Sequence, residues 1–245
     1  MTNDVPYALK SDVEVEVEIE NGIYVVNANG DIINPDYLDD TCIGVAFITD
    51  NQKIFIPKKY IRNSNNSYNY YWGYNISSDI TEIPNSSNGN AAKTDYNGEF
   101  NTKKIIEWFN TKGLTMYAND MAYIASTYKD GNYTNWYIPA AGQLYEIYTH
   151  RSEIETLLRA MGGESFNSGR HWSSSENSTS GWYVDFGNKG NIQSYNKTAS
   201  YSVIFVHNLL LKPLKDNVKD LENKIDNLES QMGDVNTILE SIING

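Results

Sequence analysis

The sequence predicts an α+β fold followed by a self-associating helix. Three observations point there: short β-forming runs broken by turn residues before residue 58, capped helical stretches between residues 102 and 162, and an unbroken heptad over residues 211–242. The chain has 245 residues, enough for one sizeable core with appendages. The expected organisation is an arm and strand over 1–21, a main domain over 22–209 and an oligomerisation helix over 210–245.

Val13, Val15, Val17 and Ile19 alternate with Glu14, Glu16, Glu18 and Glu20, a period of two that makes a strand with one apolar and one acidic face. Asn21-Gly22 ends it, a second run over 23–26 follows, and Asn29-Gly30 closes an N-terminal β-hairpin. The glutamate row is a solvated face that discourages edge pairing. Residues 43–48 and 53–57 flank Asp50-Asn51 as a second hairpin. Cys42, set among apolar residues, reads as a small buried hydrophobe, and a lone cysteine excludes an internal disulfide or a thiolate zinc site.

Composition then shifts. Residues 63–78, NSNNSYNYYWGYNISS, are almost wholly Asn, Ser, Tyr, Trp and Gly. Tyr and Trp offer large contact area at low entropic cost, and Asn and Ser adaptable hydrogen bonds. Tyr68, Tyr70, Tyr71, Trp72 and Tyr74 are therefore candidate ligand contacts; the alternative is a long loop whose tyrosines pack back on the domain. Beyond it, Thr102 caps a helix through Ile105, Ile106 and Phe109 that stops at Gly113, and Asn119 caps one through Met121, Ala122, Ile124 and Ala125. Ser152 and Glu155 form a capping box for a helix whose Ile154, Leu157, Leu158 and Met161 share a face, with Gly162 as its stop. Trp136, Trp172 and Trp182 each open or close a short apolar run, anchoring strands in one core with much loop between them.

The order Trp136-Tyr-Ile-Pro139, a helix with Leu144 and Tyr145, Gly162-Gly163, Trp172-Ser-Ser-Ser-Glu176, Trp182-Tyr-Val-Asp-Phe-Gly187, Lys197 and a closing strand over 202–206 resembles the C-type-lectin-like domains of bacterial adhesins and bacteriophage fibre proteins. The resemblance spans roughly residues 22–209. It implies a C-type-lectin-like domain whose variable ligand-contacting loops fall at 177–180 and 188–197, which adds Asn177, Asn188, Asn191 and Asn196 to the candidate contacts. Departures limit what it implies. Ala140 and Gln143 stand where the family has Ser and Glu after the proline, so that helix is expected to lack its side-chain cap box. The last strand reads Val203-Ile-Phe-Val-His207 in place of Val-Arg-Pro-Val-Arg, so no role of those arginines carries over. The family's calcium and sugar signature is missing too, and with it calcium-dependent sugar binding. A formylglycine-generating oxidase of the wider fold needs two cysteines, which this chain lacks.

After His207 the pattern becomes a heptad: Leu211, Leu214, Val218, Leu221, Ile225, Leu228, Met232, Val235, Leu239 and Ile242 fall at alternating spacings of three and four. A lone helix cannot bury such a seam, so it predicts a homo-oligomer. Pro213 fits only a first turn and sets the helix start, giving a rod of about 45 Å. Val218 and Ile225 at a with leucines at d favour a parallel dimer, with Lys224 and Glu229 as an attractive pair between chains. Ile238 and Ile243 widen the stripe as a trimer requires, so both stoichiometries stand.

The formal net charge of -12 excludes a nucleic-acid partner, whose phosphates demand a basic stripe, and an anionic membrane surface. No apolar run reaches the roughly 18 residues of a membrane span. MTNDVPYALKSDVEVEVEIE has no basic region followed by an apolar one, so no secretory signal is expected and the protein is read as made in a host cytoplasm. His150, His171 and His207 lack metal-ligand spacing, and there is no HExxH or phosphate-cradling glycine loop. His171 beside Ser173, Ser174, Ser175 and Glu176 holds the ingredients of a nucleophilic triad without a nucleophile elbow. Aromatic content of 13%, with 19 tyrosines, suits a recognition surface better than a metabolic enzyme. The sequence thus reads as a non-enzymatic bacteriophage virion protein without metal or cofactor: a lectin-like head on a coiled-coil stalk, in a fibre or a capsid or tail decoration beside other virion proteins. The alternative is a receptor-binding adhesin that recognises a host surface glycan or protein.

Overall fold

The structure is a computed structural model that describes residues 19–76, 78–130, 133–209, 225–228, 230–233, 235 and 239. The chain divides into two units, Glu20–Leu209 and one comprising Met1–Ile19 with Leu210–Gly245. The first is an α+β unit. Its strands are β1 (Gly22–Asn27), β2 (Ile32–Ile33), β3 (Cys42–Ile48), β4 (Lys53–Pro57), β5 (Asn69–Tyr71), β6 (Arg170–Asn177), β7 (Ser180–Asp185), β8 (Asn191–Asn196), β9 (Ser200–Ser202) and β10 (His207–Asn208). They form two five-stranded sheets, ordered β10-β4-β3-β1-β2 and β5-β9-β6-β7-β8. The helices are α1 (Gly89–Ala92), α2 (Gly98–Lys112), α3 (Met121–Thr127), α4 (Ala141–Thr149) and α5 (Arg151–Ala160).

The first sheet follows the apolar runs. β3 and β4 pair antiparallel with Val45 opposite Ile56 and Phe47 opposite Ile54, and the turn closes by the Thr49 amide donating to Gln52 O at 2.8 Å. β1 pairs with both β2 and β3, so the described N-terminal hairpin is β1–β2; residues 13–18, the expected acidic strand, lie outside the described residues. Cys42 is buried and free. Both ends of the unit, through β1 and β10, belong to this one sheet.

The second sheet is more regular than its composition suggested. Where a loop-rich stretch was expected over 166–200, β6, β7 and β8 form an antiparallel meander. Ser173, Ser174 and Ser175 are fully buried because each hydroxyl finds an acceptor: Trp182 O at 2.8 Å, Gly98 O at 3.5 Å and Asp95 Oδ2 at 2.6 Å. Residues 136–139 run between the sheets. Tyr137 and Val206 exchange two backbone hydrogen bonds of 2.9 Å on one side, and the Ser174 amide donates to Pro139 O at 3.0 Å on the other.

Helix starts differ from the sequence reading. α2 begins four residues before Thr102, whose hydroxyl sits inside the first turn, donating to Gly98 O at 2.8 Å and accepting from the Ile138 amide at 3.0 Å. α3 is preceded by Asp120 rather than capped by Asn119. Ser152 and Glu155 form no capping box: α5 starts at Arg151, and Glu155 pairs with Arg151 at 2.6 Å and Arg159 at 3.3 Å. α4 keeps half of the box it was expected to lack, since Gln143 Oε1 accepts from the Ala140 amide at 3.0 Å and also from the Gly98 amide at 3.1 Å. The stops are as read, with Gly113 (φ 63°) and Gly162 (φ 68°) in the left-handed region.

In the second unit Ile225, Leu228, Met232, Val235 and Leu239 are helical and exposed. Leu211, Leu214, Val218, Leu221 and Ile242 lie outside the described residues. No helix among the described residues is long and apolar enough to cross a membrane.

One buried ion pair fixes the long irregular segment after β5. Lys197 Nζ and Glu176 Oε2 lie 2.6 Å apart, both side chains fully buried. Nζ also donates to Ser78 O (3.0 Å) and Ser178 O (2.9 Å) and sits 4.4 Å above the Trp72 ring, while Glu176 Oε1 accepts from the Ile80 amide at 2.8 Å. Burial pushes the Glu176 carboxyl up to about 7, with Lys197 pulling it back, and pushes the Lys197 ammonium down. Desolvation thus offsets much of the mutual attraction, while each charge alone would be far costlier. Lys197→Met should destabilise the protein by about 3–5 kcal/mol, because it strands the carboxylate. Adding Glu176→Leu should recover part of that loss. Urea unfolding of wild type, both single variants and the double variant checks both outcomes.

Candidate aromatic recognition surface

Strand alternation divides the tyrosine-rich stretch in two. In β5, Tyr70 points inward, fully buried, its hydroxyl donating to Ile61 O at 3.0 Å and its ring edge-on to Phe205 at 5.3 Å. Trp72 is equally buried and donates its Nε1 proton to Ser173 O at 2.8 Å. These two are core and leave the set of candidate contacts: period-two geometry sends alternate side chains to the same face. Tyr68 is half-buried, stacked on Tyr60 at 4.8 Å with the Arg62 guanidinium 5.2 Å from its ring.

Tyr71 and Tyr74 remain, and the fold adds Tyr117, which the sequence reading missed. Tyr74 and Tyr117 are each 49% exposed, well above what packing alone asks of a tyrosine. The Tyr71 and Tyr74 rings lie 5.0 Å apart at 55°, and Tyr74 and Tyr117 5.5 Å apart at 81°. Such tilted and edge-on pairs suit the ring quadrupoles.

A buried carboxylate builds the platform. Asp120, fully buried, accepts from the Tyr74 amide through Oδ1 at 2.8 Å and from the Tyr117 amide through Oδ2 at 2.7 Å. Burial raises its carboxyl above the usual range, and the two amide bonds pull it back. The Tyr71 amide donates to Asn119 O at 2.8 Å, so three tyrosine backbones from two loops are tied to one dipeptide. Gly73 permits the turn: a Cβ there would lie 2.6 Å from Ile76 Cδ1. The Gly73 amide in turn donates to Lys197 O at 3.2 Å, linking the platform to the buried ion pair.

The asparagines suggested by resemblance lie elsewhere. Asn191 and Asn196 are the first and last residues of β8, the edge strand opposite β5 in the sheet order, and Asn196 adjoins Lys197, whose carbonyl accepts the Gly73 amide. Asn188 is exposed in the turn before β8, and Asn177 is half-buried at the end of β6. The triad ingredients are separated as well: His171 Nε2 meets the Tyr60 hydroxyl at 3.0 Å and Nδ1 meets Gly169 O at 3.2 Å, while the serine hydroxyls point to the acceptors named above. Full burial holds the His171 ring neutral, down to about 3. Among the described residues, no group of three or more His, Cys, Asp or Glu could hold a metal ion.

What the platform offers is contact: three ring faces and three phenol hydroxyls, pre-ordered at low entropic cost. Tyr74→Ala and Tyr117→Ala should change stability by less than about 1 kcal/mol, whereas Asp120→Ala, which strands two buried amides, should cost about 2–4 kcal/mol. Urea denaturation of the three variants checks the contrast.

No family model matches the chain, and no curated protein matches it. Among solved structures the chain is similar to a fimbrial protein from Bacteroides ovatus, with a TM-score of 0.55 and 14% identity, covering 77% of this chain and 48% of that one. At that identity the likeness is one of fold, and the chain spans about half the length of the protein it resembles.

Proposed function

We propose that this chain is a non-enzymatic adhesin-type surface protein that contacts a host surface glycan or protein through Tyr71, Tyr74 and Tyr117. The exposed, carboxylate-anchored tyrosine platform carries this reading, and the likeness in fold to a fimbrial protein supports it. That likeness bears on the adhesin reading and offers nothing to a virion role. The C-type-lectin-like assignment of residues 22–209 rests on the residue order from Trp136 to Val206 and on the opening runs over 23–30 and 43–47. Labelled full-length chain should be retained on a printed array of host glycans or on fixed epithelial cells. Tyr74→Ala or Tyr117→Ala should weaken that retention at least tenfold with the melting temperature unchanged. Retention that is absent, or indifferent to both substitutions, overturns the proposal.

The heads are held together, on this reading, by a coiled coil of the C-terminal helix. The five exposed apolar residues at heptad spacing support it, since a solvated row of that kind is stabilised by burial against identical copies. Clustering raises avidity by about 10²–10⁴ over a single weak contact. Light scattering should give a dimer or trimer mass for the full chain and a monomer mass for a chain ending at Leu209. A monomeric full chain at micromolar concentration would remove the stalk.

A further inference from the structure

Far from the tyrosine platform, a groove of about 460 Å³ opens between β4, β10 and the start of α2. Its volume lies within the roughly 300–1,000 Å³ of small-molecule sites. α2 has 15 residues, a length of about 22 Å, and the groove residues Asn97, Glu99 and Phe100 stand at its start whereas Tyr117 follows its end. The two surfaces share no residue.

The groove's polar groups are held in place. The Tyr137 hydroxyl donates to Asn208 Oδ1 at 2.9 Å, and Asn208 Nδ2 donates to Glu99 Oε2 at 2.6 Å, a chain of bonds across the groove. Behind it Glu146, at the end of α4's second turn, accepts from the Tyr96 hydroxyl (2.9 Å) and from Gln52 Nε2 (2.8 Å). Multiple hydrogen bonds hold the Glu146 carboxyl below its usual range against the opposing effect of burial, the largest single influence. The same bond, with burial ahead of it, pushes the Tyr96 phenol up to about 12.

Gln52 gives the groove an unmet demand. Its Nε2 is committed to Glu146 Oε2 and to Gln143 O at 3.3 Å, which fixes the amide's orientation. Its Oε1 is buried without a hydrogen-bond donor, in a residue only 5% exposed. A buried acceptor left unmatched is costly, so Gln52 is held here by its Nε2 bonds and not by its Oε1. Beside these groups the Phe100 ring, 46% exposed, offers an apolar face.

Charge narrows the ligand. Lys53 and Glu99 contribute one charge of each sign to the lining, and the chain's net charge of -12 repels anions. The remaining lining is phenol, amide and ring. We propose that this groove is a second binding site, for a short neutral saccharide: hydroxyl donors meet the amide and phenol oxygens, and the C–H face of a sugar ring lies on Phe100.

Saturation-transfer NMR on the full chain tests this with glucose, galactose, mannose, N-acetylglucosamine, lactose and cellobiose, with sialyllactose as the acidic comparison. At least one neutral sugar should show transfer. Phe100→Ala and Asn97→Ala, both at exposed positions that leave the fold intact, should weaken that sugar at least tenfold, while Tyr74→Ala and Tyr117→Ala leave it unchanged. Transfer to none of the neutral sugars, or to sialyllactose alone, overturns the proposal. So does binding that survives Phe100→Ala, or that disappears with Tyr74→Ala, which would place the sugar on the platform instead. Because the two sets of substitutions do not overlap, loss of cell retention and loss of groove binding are told apart.

Discussion

The contact between Lys197 and Glu176 is the constraint on which the irregular half of the head depends. A segment of Asn, Ser and Tyr with few apolar side chains cannot hold itself in place by burial. Here it is held by one charged centre: Lys197 takes the carbonyls of Ser78 and Ser178, Glu176 takes the amide of Ile80, and Trp72 closes over the ammonium. With 72–80 tethered at both ends, Gly73 and Tyr74 have one position, and Asp120 can reach the Tyr74 amide. The tyrosine platform therefore depends on this buried pair, to which the Gly73 amide ties it through Lys197 O.

Much of the architecture was legible because hydrophobic period and turn residues act locally. The β3–β4 hairpin, the apolar faces of α2, α3 and α5 and the stops at Gly113 and Gly162 all follow from neighbours in the chain. Helix starts were misread for the opposite reason. Thr102 is satisfied across the fold by the Ile138 amide, which no local pattern records, while Glu155 takes its own helix's Arg151 and Arg159, four residues to either side, together with the more distant Phe166 amide. The serine-rich β6 was similarly opaque: its hydroxyls behave as buried groups only because Asp95 and Trp182 arrive from elsewhere.

The site was half legible. Composition marked residues 63–78 as unusual, and two of five aromatics there join the platform, Tyr74 exposed and Tyr71 half-buried. Alternation within β5 could have separated Tyr70 from Tyr71, but the burial of Trp72 needs the ammonium of Lys197, 125 positions away in the chain. Tyr117 carried no local signal beyond being a tyrosine after a helix stop. Its place comes from Asp120, whose Oδ2 accepts the Tyr117 amide.

The way the chain enters and leaves the head also decides how it bears tension. β1 and β10 both belong to the first sheet, and β10 is joined to it by His207 opposite Phe55, Asn208 opposite Ile54 and the Leu209 amide donating to Lys53 O. A pull on the ends of this unit loads that sheet and acts directly on β10, one of its two strands of two residues. The sheet that bears Tyr71 holds neither end of this unit, so Tyr71 lies outside the sheet that is loaded first.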